Sequence, residues 1–371
     1  MKTKRYYLGE EKCGDSSRPE AAWEDAIQEA VSLLKQGEVV AFPTETVYGL
    51  GANALDPQAC AKIFAVKGRP ADNPLIVHVA SVADARRVAR VWPQQAEICA
   101  REFWPGPLTI VLPKKEEIPA LVSGGLDTVA IRMPSHPVAL ALLQKTGFPV
   151  AAPSANLSGK PSPTEGKHVW QDLQGKIPLL IDAGKCRVGL ESTVLDLTGQ
   201  TPVILRPGGV TFEQLTRALG QVEVDRGVKG DTETAIKPRS PGMKYRHYAP
   251  QGEVRLISGS TQEKTEQVAK YLRAKEAGRK IALICLEETA AGLEKVTLAN
   301  VDLLFILGSG RQSREAASRL FEGLRLCDEH NIDLILAEEM PEKGIGLAFM
   351  NRLHKAAGQK KFTPPSQAGI P

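Results

Sequence analysis

Short apolar runs recur along this chain, and several break off into dense polar loops instead of ordinary turns. Val39-Val40-Ala41, Leu75–Val79, Thr128–Met133, 149–152, 178–182 and 202–205 are each about one strand long. Segments with apolar residues at helical spacing lie among them. Ala22, Ala26, Ile27, Ala30, Val31 and Leu34 form one such face, entered near Pro19 and stopped by Gly37. Pro57 to Val66 gives a second helix, with Ala61, Ile63 and Phe64 on its apolar side. Further helices are expected over 81–90, 94–103, 136–146 and 211–219. Strands that are apolar throughout, with helices between them, specify an α/β fold.

A chain of 371 residues is too long for one ordinary core, so two domains are expected. After residue 253 the pattern becomes regular. Apolar runs at 254–257, 281–286, 301–307 and 332–337 alternate with helical segments at 261–277, 311–329 and 346–357. That reads as a small parallel, Rossmann-like sheet. Gly308-Ser309-Gly310 stands between a strand and a helix but lacks the full dinucleotide fingerprint. The expected organisation is a first domain over 1–235, a linker at 236–252 and a second domain over 253–371.

The polar stretches carry the chemistry. The first is Phe42-Pro43-Thr44-Glu45-Thr46-Val47-Tyr48-Gly49-Leu50-Gly51, where Pro43 ends a strand. Gly49 and Gly51 let the backbone turn and approach something closely. The second, Lys67-Gly68-Arg69-Pro70 through Asn73-Pro74, holds two cations in a proline-stiffened loop. It is either a solvated basic turn or an anion site with Arg69 forking onto phosphate. The third, Pro153-Ser154-Ala155-Asn156-Leu157-Ser158-Gly159, offers small hydroxyls and backbone N–H groups suited to phosphate oxygens or a ribose. Arg132 lies inside an apolar strand, where an unpaired charge is costly. It is either a structural ion-pair partner or a carboxylate clamp. Arg69, Arg132 and Arg206 all sit beside strands with polar loops, which suits a multiply charged ligand such as ATP. The segment Lys237 to Pro250 is rich in Arg, Tyr and His, and reads as a linker that could also serve as a lid.

Other function classes fit less well. The net charge of +4 is too mild to mark a nucleic-acid protein by itself. No apolar run approaches the roughly 18–20 residues of a membrane span. No long apolar segment follows the basic N-terminus, so a secretory signal is not expected and a cytoplasmic location is. Cys13, Cys60, Cys99, Cys186, Cys285 and Cys327 form no Cys-x-x-Cys pair, and the six histidines show no metal-type spacing. Free thiols in a reducing compartment fit best.

Pro43-Thr44-Glu45-Thr46-Val47-Tyr48-Gly49-Leu50, Lys67-Gly68-Arg69-Pro70 with Asn73-Pro74-Leu75, Pro153 to Gly159, and Glu191-Ser192-Thr193 together resemble the YrdC-type threonylcarbamoyl-AMP synthases. Ser240-Pro241-Gly242-Met243-Lys244-Tyr245-Arg246-His247-Tyr248-Ala249-Pro250 and the α/β tail resemble that family's two-domain branch. The match spans nearly the whole chain. It implies a curved α/β domain with a concave basic cavity, followed by the smaller Rossmann-like domain. It implies a nucleotidyltransferase that converts L-threonine, bicarbonate and ATP to threonylcarbamoyl-AMP and pyrophosphate. The product would feed N6-threonylcarbamoyladenosine formation at tRNA position 37, through a threonylcarbamoyl transferase machinery. By the same resemblance, Thr46, His78, Arg132, the backbone at Ala152, and Ser192 would bind threonine. Lys67, Arg69, Asn73, Thr128, Ser154, Asn156, Ser162, Arg206, Tyr245 and His247 would bind ATP, with Lys67 and Arg69 in catalytic roles. Mg2+ is expected on the triphosphate, held by ATP and water with no protein side chain as ligand. Two other readings remain at this point: a module binding RNA, even weakly, and a transferase using carbamoyl phosphate. The low aromatic content, 5%, disfavours the first.

Overall fold

The computed structural model describes residues 1–9, 20–229, 248–273, 275, 278–293 and 299–358. The chain forms two compact units, Met1–Ser158 with Ser162–Tyr245, and Gly159–Pro161 with Arg246–Pro371.

The first unit opens with β1 (Lys4–Tyr7), α1 (Glu20–Lys35), β2 (Val40–Phe42) and β3 (Gly49–Asn53). Next come α2 (Pro57–Lys67), β4 (Ile76–His78), α3 (Val82–Val88), α4 (Gln94–Phe103), β5 (Leu108–Pro113), α5 (Ala120–Ser123) and β6 (Thr128–Arg132). It continues through α6 (Pro137–Thr146), β7 (Val150–Ala151), α7 (Gly166–Leu173), β8 (Leu179–Asp182), β9 (Thr193–Asp196) and β10 (Val203–Arg206). The last elements are α8 (Phe212–Leu219), β11 (Glu223–Val224) and a 3-10 turn at Arg226–Lys229. The strands join one mixed sheet in the order β1-β8-β2-β3-β7-β4-β6-β5-β9-β10-β11.

Apart from the exposed edge strands β1 and β11, the sheet is buried on both faces, which explains why its inner strands read as apolar. Ala41, Leu50, Val77, Ile110, Ile131, Leu180, Leu195 and Ile204 point to one core, shared with Ile63 of α2 and Cys99 of α4. Val40, Phe42, Val150, Leu179 and Ile181 point to the other, against Ala26, Ile27 and Leu34 of α1 and Leu142 of α6. A third, smaller cluster of Ile76, Val111, Ala130, Val194 and Leu205 spans β4, β6, β5, β9 and β10.

The first motif is not a turn at its glycines. β2 and β3 pair antiparallel, with Phe42 opposite Gly49 and Val40 opposite Gly51. The hairpin tip is residues 43–48, and the glycines lie within the returning strand. A Cβ on Gly51 would sit 2.7 Å from the Phe42 ring and 2.7 Å from a Val150 methyl. Close packing of neighbouring strands, not backbone turning, requires glycine there.

The second unit contains β12 (Glu253–Ile257), α9 (Thr261–Arg273), β13 (Ile281–Cys285), α10 (Glu287–Ala291), β14 (Leu303–Ile306), α11 (Ser313–Glu329), β15 (Leu334–Glu338) and α12 (Gly346–Ala357). Its four strands are parallel in the order β12-β15-β13-β14. Val268 and Leu272 of α9 pack with Ile257, Leu283 and Leu336. Lys264 reaches Glu338 at 3.2 Å and the Glu339 carbonyl at 2.7 Å, so this interior pair is satisfied on both sides.

Among the described residues, Cys60, Cys99, Cys186, Cys285 and Cys327 are buried free thiols. Burial pushes Cys60, Cys99, Cys285 and Cys327 up to about 12, so these thiols are unreactive at neutral pH. Cys13 lies outside the described residues.

Candidate active site

Strand register assembles a polar row from residues far apart in sequence. His78 of β4 is the partner of Arg132 of β6, and Arg132 is also the partner of Thr109 of β5. Thr109 pairs with Val194 of β9, and Val194 with Arg206 of β10. Residues paired across a sheet share a face. His78, Arg132, Thr109 and Arg206 therefore form one line across the strands, beside the small apolar cluster of Ile76, Ala130 and Val111. Arg206 reaches that face through a register shift between Ile204 and Arg206. The extra residue of a bulge re-aims the side chain that follows it.

All of these groups are nearly removed from water: His78 is 4% exposed, Arg132 4%, Thr109 0% and Arg206 5%. Each needs partners there. Arg132 donates from Nη2 to Glu45 Oε1 at 2.6 Å, and Nε lies 3.4 Å from the Gly106 carbonyl. Arg206 donates to the Ser192 carbonyl from Nε at 3.1 Å and Nη2 at 3.0 Å, and to Ser192 Oγ at 3.1 Å. Ser192 Oγ also shares a 2.8 Å hydrogen bond with Thr109 Oγ1. His78 Nδ1 donates to the Ile76 carbonyl at 3.1 Å. Burial, reinforced by the Arg132 charge, pushes the His78 ring down to about 3, so it is neutral at physiological pH.

The hairpin tip is tied down against this row. Thr44 Oγ1 donates to the Val47 carbonyl at 2.6 Å and lies 2.8 Å from Thr46 Oγ1. The Tyr48 hydroxyl donates to the Gly184 carbonyl at 2.7 Å, and the Ala183 N–H donates back to it. Tyr48 N–H donates to the Pro163 carbonyl, and Tyr48 O accepts from Ala155 N–H. The first and third polar stretches thus hold each other.

The second stretch is delivered by a helix end. Asp56 caps α2 through the N–H groups of Gln58 and Ala59, and Gly68 terminates it at φ 60. Lys67 is the last residue of that helix and is directed inward. Its Nζ donates to the carbonyls of Ser154, at 2.5 Å, and Asn156. The Lys67 carbonyl accepts from Ser158 N–H. Arg69 donates to the Pro74 carbonyl at 2.9 Å, which folds the Pro-rich loop back on itself. Asn73 is 2% exposed, and its Oδ1 is buried without a hydrogen-bond partner. Ser154 Oγ donates to Asn156 Oδ1 at 2.5 Å, and Ser162 Oγ to Glu191 Oε1 at 2.5 Å.

Of the residues expected to hold threonine, His78 and Arg132 are neighbours in register, and Ser192 is bonded to Thr109 of the same row. Ala152 lies 3.4 Å from a Cβ built on Gly49, and its N–H donates to the Ile76 carbonyl. Thr46 is fully buried in the hairpin tip, next to the partner of Arg132. Of the residues expected to hold ATP, Lys67, Ser154 and Asn156 form one bonded group, and Arg206 joins Ser192. Thr128 starts the strand that Arg132 ends, about 13 Å away along it. Gly124, four residues before it, packs against the Asn73 loop: a Cβ there would meet the Asp72 carbonyl at 2.9 Å. Tyr245 and His247 lie outside the described residues.

Two residues of the row's surroundings escaped the sequence reading. Glu45 was part of the first motif but had no role, and it is the partner of Arg132. Thr109 is a hydroxyl in the otherwise apolar strand Leu108–Pro113, a signal of the same kind as Arg132 in its strand. A separate cleft of about 510 Å³, lined by Val79, Ser81, Arg87, Leu143 and Phe148, includes none of the expected site residues. Among the described residues no group of three or more His, Cys, Asp or Glu could hold a metal ion, and no helix is long and apolar enough to cross a membrane.

Comparison with known proteins gives matches to both units. A family model described as "Telomere recombination", covering the Sua5, YciO and YrdC proteins, matches residues 32–208. A second, described as "Threonylcarbamoyl-AMP synthase, C-terminal domain", matches residues 210–358. The threonylcarbamoyl-AMP synthase of Pyrococcus abyssi is 48% identical over 335 residues, covering 90% of this chain and 94% of that protein. The Bacillus subtilis protein of the same name is 45% identical over 359 residues, covering 96% and 99%. The crystal structure of P. abyssi Sua5 complexed with L-threonine superposes with a TM-score of 0.87 at 45% identity, covering 97% of this chain and all of that one.

Proposed function

The chain belongs to the two-domain threonylcarbamoyl-AMP synthase family, and on that premise we propose that its buried polar row binds L-threonine beside ATP and joins the two. The chain is a nucleotidyltransferase that makes threonylcarbamoyl-AMP. The observation that carries the site assignment is the Arg132 guanidinium, buried at the end of an apolar strand with a donor to spare. Nη2 and Nε are engaged, while Nη1 has no partner among the described residues. An open donor on an otherwise buried guanidinium suits a carboxylate. Ser192 is bonded both to Arg206 and to Thr109, the strand neighbour of Arg132.

Bicarbonate supplies the carbonyl carbon. The threonine amine adds to the CO2 in equilibrium with it and loses a proton, giving a carbamate; counted from bicarbonate, one water leaves. A carbamate oxygen attacks the α-phosphorus of ATP, the bond to the β-phosphate oxygen breaks, and pyrophosphate leaves. No covalent enzyme nucleophile is needed, in keeping with unreactive thiols. The residues act by positioning and by countering charge. Arg132 holds the carboxylate, neutral His78 adds no competing charge beside it, and Thr46, Ala152 and Ser192 complete the threonine wall. Lys67, Arg69, Asn73, Thr128, Ser154, Asn156, Ser162 and Arg206 would line the nucleotide side. Mg2+ would arrive on the triphosphate, held by ATP and water.

The product is a mixed anhydride of a carbamate and a phosphate. A group-transfer enzyme acting on tRNA must consume it, and the cytoplasm is where these substrates meet. The test is pyrophosphate release by the purified chain. Release is expected only when threonine, bicarbonate and ATP are all present. Failure with all three supplied, or full release without threonine, would remove the proposal.

A further inference from the structure

We propose that Glu45 is a positioning residue for the threonine carboxylate, acting through Arg132. The inference rests on the reading of Arg132 as the carboxylate clamp. A buried arginine without a counter-charge is costly, and a mobile one is a poor clamp. Glu45 resolves both. Its Oε1 takes Nη2 of Arg132 at 2.6 Å, and its Oε2 accepts from the Ser135 N–H at 3.1 Å. Its backbone carbonyl accepts from the Val188 N–H at 2.7 Å. The two side chains are only 4% and 5% exposed.

This arrangement distinguishes two roles. A placeholder would leave when threonine arrives, and the guanidinium would change partners. Glu45 is anchored at both carboxylate oxygens and at its main chain, and it uses only one edge of Arg132. The remaining donor, Nη1, stays available while Glu45 is in place. Glu45 therefore sets the plane of the guanidinium and selects which nitrogen meets the ligand.

The experiment compares Glu45→Gln, Glu45→Ala and Arg132→Ala by steady-state pyrophosphate release, with separate threonine and ATP titrations. L-Threoninamide, which lacks the carboxylate, is the second probe. Gln keeps the size and can still accept from Nη2, but its amide nitrogen cannot accept from Ser135 N–H. The expected order of threonine KM is wild type, then Glu45→Gln, then Glu45→Ala. The alanine variant should be raised about tenfold or more, the loss of one well-placed charge-assisted hydrogen bond. The ATP KM should stay nearly unchanged, and the preference for threonine over threoninamide should shrink in the same order. A lowered threonine KM in either variant would identify a placeholder. Equal rises for threonine and ATP would identify a purely structural ion pair, and either result overturns the proposal. If alanine prevents folding, the glutamine variant alone decides between these outcomes. Arg132→Ala separates the two levels of inference. If it leaves the threonine KM unchanged, the clamp itself is wrong. If it raises that KM while both Glu45 variants match wild type, only the role of Glu45 is wrong.

Discussion

Thr109 and Ser192, 83 residues apart, share a 2.8 Å hydrogen bond between their hydroxyls in the buried polar row. Ser192 Oγ already accepts from Arg206. Either hydroxyl can donate in that bond, and when Thr109 does, the Ser192 proton is free for a ligand. Thr109→Val keeps the shape and removes that donor. It should raise the threonine KM about two- to tenfold, the range of one ordinary hydrogen bond. Threonine titrations of pyrophosphate release check this, and an unchanged KM would separate Thr109 from ligand binding.

Arg206 should behave differently from Arg132. It grips both the carbonyl and the hydroxyl of Ser192 while standing among the expected nucleotide contacts. Arg206→Ala is expected to raise the KM for threonine and for ATP together. Arg206→Lys should not restore either, because a single ammonium cannot reproduce the fork. An effect on ATP alone would show that the grip on Ser192 is incidental.

His78 gives the first unit a pH dependence. Its folded value lies near 3, below the 6.5 of an unperturbed ring, so between these values the unfolded chain binds the extra proton. Stability should therefore fall as pH drops below 6.5, by up to about 1.4 kcal/mol per pH unit from this residue. His78→Asn should flatten that slope. Denaturant unfolding at a series of pH values measures it, and identical slopes for the two proteins would contradict the assignment.

Gly51→Ala tests the hairpin. The added methyl meets a buried ring edge and a valine methyl, neither of which can swing away. Overpacking of this kind should cost about 1–3 kcal/mol in unfolding free energy. A variant as stable as wild type would mean that β2 and β7 yield more easily than their packing suggests.

Much of this architecture was legible before the structure. Apolar runs became strands within a residue or two, because strands buried on both faces leave no other pattern. The polar loops that followed them are bonded to one another. Other features were not legible for physical reasons. α7 has no side-chain cap at its start, so its sequence carries no entry signal. Gly49 and Gly51 resembled turn glycines, because their real constraint is the ring of Phe42 and the side chain of Val150. The bulge that re-aims Arg206 depends on the register with β9, and no local motif encodes it. Glu45 and Thr109 lacked roles because each acts through a residue more than 80 positions away. Two alternatives for Arg132 were open: the structure shows the ion pair with Glu45 and leaves Nη1 unengaged, and the clamp remains the proposal.

The hydroxyl pair in the hairpin tip has a directional consequence. Thr44 has one proton, and it is committed to the Val47 carbonyl. The contact between Thr44 and Thr46 can then be made only with the Thr46 proton. Thr46 thus presents lone pairs, and no hydrogen, to anything that arrives beside it. It welcomes an amine or a hydroxyl and repels a carboxylate oxygen. On the proposed reading of the site, an amino acid would therefore be sorted end from end by two groups of opposite polarity, its acid toward Arg132 and its nitrogen or alcohol toward Thr46.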